Sequence, residues 1–131
     1  MTRLSASPVR FQFPYDVVEA FTWGDCGYLA VALSNATGFD IATASFDTRD
    51  MWRHAGVWID DQHILDIKGI HHYQDWLADW EWTGNFYGYE EYGAFRWKAL
   101  EFVFVVMEEP RVYPDIDLDQ VVRDVLEQIN H

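Results

Sequence analysis

From Cys26 to Asn35 the chain carries no charge and almost only apolar or small side chains. A helix made of these residues has no polar face to give to solvent, so it must be covered on nearly every side. Its small residues let strands pack close to its axis. Asp25 is placed to cap its start, and Thr37-Gly38 to end it with a glycine C-cap. Such a helix cannot fold alone. It needs a sheet and further helices around it.

The sheet begins in the next segment. His54 to Ile59 reads as a strand, Asp60-Asp61-Gln62 as a turn, and His63 to Ile67 as a second strand that ends at Gly69. A turn at 60–62 pairs His54 near residues 67–68, so Asp66 falls within about one rung of it. Ile64 and Asp66 share one face of their strand. Phe11, Phe13, Tyr15 and Val17 alternate and predict a short extended segment broken at Pro14. Residues 39–52 fit no single pattern. Trp76, Leu77 and Trp80 recur at helical spacing and predict a short helix over 73–82. Residues 83–97 hold Gly84, Gly88 and Gly93 among aromatics and read as a loop. Ala99 to Met107 is a near-continuous apolar run and predicts a central strand. Asp115 to Asn130 predicts an amphipathic helix with Ile116, Val121, Val122, Val125, Leu126 and Ile129 on one face. Residues 1–10 read as a loose arm. The whole, 1–131, is expected to be one α+β domain: a cysteine-bearing helix packed on an antiparallel sheet, with a C-terminal amphipathic helix.

Half of the residues are hydrophobic and 18% are aromatic, which excludes a disordered composition. The net charge of -13 sets the chain's mean field against nucleic acid and anionic lipid, and no basic patch or glycine-rich phosphate loop offsets it. No apolar run reaches the length of a membrane span, and Met1 to Arg10 lacks the apolar core of a signal peptide. One cysteine, Cys26, excludes an intramolecular disulfide and a cysteine-based zinc cluster. A reducing cytoplasm is the expected setting. His63, His71 and His72 lie near Asp60 and Asp61 but lack metal-ligand spacing, so neither metal nor cofactor is expected.

Cys26 stands where a loop becomes the buried helix. A thiol there meets the positive end of the helix dipole and unpaired backbone N–H groups. Both favour a thiolate nucleophile, and the same N–H groups can hold an oxyanion. Gly27 leaves room beside the sulfur, and Trp23 stands on the approach to it. His54, at the head of the next strand, is the candidate base. Asp66 on the paired strand is the candidate group to orient its imidazole. An acid between Leu65 and Ile67 is costly to bury without such a partner.

Trp23-Gly24-Asp25-Cys26-Gly27-Tyr28, then His54-Ala55-Gly56-Val57-Trp58, then Ile64-Leu65-Asp66-Ile67-Lys68-Gly69 resembles the core of papain-like thiol enzymes. The transglutaminase-like and small bacterial or phage members are closest in layout. The resemblance covers residues 23–69. It implies a papain-like core with Cys26 as nucleophile, His54 as base and then acid, and Asp66 as orienter. It also implies cleavage, deamidation or acyl transfer at an amide of a protein or peptide. Papain itself has a glutamine six residues before the cysteine, where this chain has Ala20. Backbone N–H groups, or a side chain such as Gln12, would then serve the oxyanion.

The aromatics from Tyr73 to Trp97 suit either core packing or a binding surface. A second reading takes the acidic chain as a non-enzymatic interaction or inhibitor protein that binds a basic partner. A third keeps the papain-like fold as a scaffold without its chemistry.

Overall fold

A computed structural model describes residues 8–89, 91–106 and 110–129. The chain is α+β. Its strands are β1 (Val9–Arg10), β2 (Ile41–Phe46), β3 (Trp52–Trp58), β4 (His63–Asp66), β5 (Gly69–His72) and β6 (Tyr92–Trp97). Its helices are α1 (Tyr15–Trp23), α2 (Cys26–Thr37), α3 (Tyr73–Phe86), α4 (Ala99–Val106) and α5 (Leu118–Ile129). The strands form one six-stranded antiparallel sheet in the order β1-β5-β4-β3-β2-β6. Among the described residues no helix is long and apolar enough to cross a membrane.

Helix α2 is the centre. Leu29, Ala30 and Leu33 pack with Ala55, Val57, Leu65 and Ile67 of the sheet, and with Phe21 of α1, Phe102 of α4 and Val125 of α5. Cover is not all round, however: Tyr28, Val31 and Ala32 are half-buried, and Asn35 and Ala36 are exposed near its C-terminal end. Gly38 closes it at φ 81°, in the left-handed region, with its N–H on the Ser34 carbonyl. The opposite face of the sheet carries a second core, where Trp76 and Trp80 of α3 cover Ala42, Ala44, Phe46, Trp58 and Ile64.

The hairpin forms with the expected turn. Val57 pairs with Leu65 and Trp58 with Ile64. Past Asp66 the chain turns at 67–68, and the His54 and Asp66 side chains meet across the β3–β4 pair. Gly69 opens β5 rather than ending a strand. A side chain there would collide with the Val9 carbonyl, because β1 crosses it closely.

Four other expectations are corrected. Phe11 to Val17 holds no strand: β1 ends before it at Arg10, and from Tyr15 the chain is helical, with Pro14 at the N-cap of α1 and its carbonyl accepting from Val17 and Val18. Four alternating residues around a proline suit a helix entrance as well as a strand. The run from Ala99 is helix α4, not a central strand. Its continuous apolarity does not mean burial on all sides, for Phe102 is buried while Leu100 is 86% exposed. Met107 lies outside the described residues. Residues 83–97 are not one loop: α3 continues to Phe86, and Tyr92–Trp97 is the edge strand β6 on β2. Within the expected loose arm, Val9–Arg10 pairs with β5.

Candidate active site

Asp66 ends β4 and is buried, with 3% of its surface exposed. Its carboxylate accepts from four donors. His54 Nε2 lies 2.8 Å and Trp76 Nε1 3.0 Å from Oδ2. The Lys68 N–H and His71 Nε2 each lie 2.9 Å from Oδ1. Burial works against its ionisation, but the bonds from His54 and His71 and their charge outweigh it, so the carboxyl is held well below the usual range. An ionised carboxylate only accepts, so His54 must donate through Nε2–H. In the neutral imidazole the lone pair is then on Nδ1.

His54 is 1% exposed, and its ring stacks on Trp80 at 4.8 Å with Trp76 at 5.6 Å. Two indoles and a carboxylate fix its orientation. Among the described residues Nδ1 is buried without a hydrogen-bond partner. The Cys26 sulfur is close enough to act on the ring's charge, although it does not meet Nδ1 in regular hydrogen-bond geometry. Burial pulls the imidazole toward its neutral form. Asp66 and then Cys26 outweigh that, and the pKa is pushed up to about 9.

Cys26 and His54 approach each other from opposite faces of the sheet. Cys26 belongs to the core on the α2 side, whereas the His54 ring packs against α3 on the other side. They come together at the end of the sheet, where the corner between α1 and α2 meets α3. Trp23 marks that corner, with its ring edge-on to Trp80 at 5.2 Å and to Trp82 at 6.5 Å. The pairing of β2 with β3 shifts there: Ala44 faces His54 and Ser45 faces Trp52, which leaves Arg53 as the extra residue of a bulge. A pocket of about 380 Å³ opens at this junction, lined by Cys26 with Trp23, Gly24, Arg53, Trp80 and Thr83 among others.

Trp23 lines this pocket and is 60% exposed. Gly27 is buried, and Gly24 forms the wall beside the sulfur. Gln12 lies elsewhere, its backbone N–H and carbonyl bonded to the Gln128 side chain of α5. The first-turn N–H groups of Cys26 and Gly27 have no acceptor within α2. The histidines of the candidate metal group have separate partners: His63 bonds Asp60, His71 bonds Asp66, and His72 accepts from the Gln74 N–H. No group of three or more metal-ligating side chains occurs among the described residues.

Asp25 occupies the N-cap position of α2, but its side chain does not cap the helix. It is fully buried and accepts from the Val112 and Tyr113 N–H groups and from Arg111 Nε at 2.8–3.1 Å. It thereby ties residues 111–113 over the helix start, where the Tyr113 ring lies against Gly24. Asp25→Ala should cost about 2 kcal/mol, since three donors lose a buried acceptor. It should also expose residues 110–114 to limited proteolysis. A variant as protease-resistant as the wild type would sink this clamp.

Sequence reading missed His71, Trp76 and Trp80. The two indoles had a signal, because residues four apart share one helix face. Nothing local tied that face to Asp66. No protein-family model, curated protein or solved structure matches the chain.

Proposed function

We propose that the chain is a cysteine-nucleophile acyl-transfer enzyme acting on an amide bond of a protein or peptide, with Cys26, His54 and Asp66 as its triad. One observation carries this reading: a buried imidazole is held by a carboxylate on one nitrogen, and its other nitrogen, without a hydrogen-bond partner among the described residues, lies beside a thiol at a helix start. The papain-like resemblance of residues 23–69 agrees with it, and a reducing cytoplasm would keep the thiol free.

In this mechanism the thiol proton rests on Nδ1, giving a thiolate–imidazolium pair that Asp66 stabilises. The thiolate attacks the amide carbonyl, forming a sulfur–carbon bond, and the N–H groups of Cys26 and Gly27 hold the oxyanion. The imidazolium gives its proton to the leaving amine as the carbon–nitrogen bond breaks. His54 then takes a proton from water or from an acceptor amine, which attacks the thioester and releases the thiol. Water as acceptor gives peptide cleavage at a main-chain amide or deamidation at a side-chain carboxamide, and an amine acceptor gives transfer.

Alkylation by iodoacetamide tests the pair. At pH 6, Cys26 should react about tenfold or more faster than free cysteine, and His54→Ala should remove the excess. A thiol that reacts no faster than free cysteine, or is unaffected by His54→Ala, would refute the activated pair. The alternative of an acidic binder for a basic partner rests on the net charge of -13 alone and predicts binding indifferent to this alkylation.

A further inference from the structure

The pocket beside Cys26 holds two polar groups that the triad does not use. The first is Arg53. Its Nη2 donates to the Tyr89 hydroxyl at 3.1 Å, and its guanidinium lies 5.4 Å from the centre of the Tyr87 ring. Among the described residues it faces no carboxylate, although the chain has 22 acids to 9 bases. Its neighbours in sequence and fold differ: Arg49 pairs with Glu101, Arg96 and Lys98 with Asp40, and Arg111 with Asp25. Among the described residues, then, the Arg53 guanidinium stands at the candidate active site without a carboxylate partner.

The second is Thr83 of α3. It is 6% exposed, lines the same pocket, and its hydroxyl has no partner among the described residues. A helical threonine can bond the carbonyl four residues back. Thr22 and Thr37 do so, each at 2.6 Å. Thr83 does not, and a buried hydroxyl left unpaired is costly unless a ligand completes it. Around these two groups stand exposed flat rings, Trp23, Trp82, Phe86 and Tyr87.

We infer that this pocket receives the acyl side of the substrate and selects one carrying an anionic group beside a flat apolar portion. This rests on Cys26 being the nucleophile. The rings take the flat portion, Thr83 hydrogen-bonds a polar atom close to the sulfur, and Arg53 pairs with the anion. A planar guanidinium already ordered by tyrosines gives up little entropy in forming that pair. The selectivity is local and runs against the chain's mean field, so it favours substrates with one anionic group over polyanions.

The test compares iodoacetate with iodoacetamide, reagents that differ by one negative charge and form the same sulfur–carbon bond with loss of iodide. Second-order rates at Cys26 are measured in the full chain at low salt. The wild-type ratio of iodoacetate to iodoacetamide rates should exceed that of free cysteine. Arg53→Gln should lower the ratio by about fivefold, as expected for one charge acting across a pocket at intermediate dielectric. Arg53→Lys should restore most of it, and added salt should shrink the difference. A ratio that Arg53→Gln leaves within twofold of wild type overturns the anion assignment while the nucleophile stands. A wild-type thiol slow toward both reagents removes the nucleophile and this proposal with it.

Discussion

Asp66→Ala should lower the unfolding free energy by about 3–5 kcal/mol, the range for removing one partner of a buried, hydrogen-bonded charge pair. The carboxylate completes bonds from His54, Trp76, His71 and the Lys68 backbone at 2.8–3.0 Å. Truncation leaves these donors in or near a site closed to water, and the loss of each is a desolvation cost rather than the modest net gain of a hydrogen bond. It also removes the group that sets the His54 tautomer. Alkylation of Cys26 at pH 6 should therefore slow by about tenfold or more, toward the rate of a free thiol. Asp66→Asn separates the two effects. It keeps the volume and one acceptor oxygen, so it should fold better than Asp66→Ala, yet its neutral amide cannot stabilise the imidazolium. Urea unfolding and alkylation rates measure both. An Asp66→Ala variant of wild-type stability would show that the carboxylate is not buried among these donors.

The second large effect is on stability against pH. The folded-state pKa of His54 is raised to about 9 against its ordinary value of 6.5. A raised pKa contributes stability that is full below the unfolded value and is lost as pH rises through the folded one. The contribution is about 3 kcal/mol, present in full below pH 6.5 and gone above about pH 9. Asp66 has the opposite sign. Its pKa is depressed, so its contribution is present above the ordinary carboxyl value of 3.8 and is lost as pH falls below it. The two share the His54–Asp66 interaction, to which Cys26 and His71 add, and mark the two ends of one plateau, from about pH 4 to 6.5. Urea midpoints at pH 6 and pH 9.5 test the alkaline end. The wild type should lose much more between them than His54→Gln does. Equal losses would place the alkaline titration elsewhere.

Local chemistry carried a large part of this protein. The uncharged small residues of 26–35 dictated a buried helix, because no orientation of them offers a polar face. The turn at 60–62 dictated the hairpin register, because strand alternation has a period of two and leaves few alternatives once the turn is placed. These two readings bring Cys26, His54 and Asp66 within one small region of the chain. What lay beyond the sequence depends on contacts distant along it. Ala99–Val106 and Tyr92–Trp97 could each be read another way, since a short apolar run or an edge strand takes its form from what covers it. Asp25 reads as a helix cap, yet only the return of residues 111–113 gives its carboxylate other donors. The side of the sheet on which His54 packs was likewise decided in three dimensions. The α3 indoles flank its ring, and a bulge in β3 turns the strand's end toward the α1–α2 corner. Periodicity sets which residues share a face; only packing sets what that face meets.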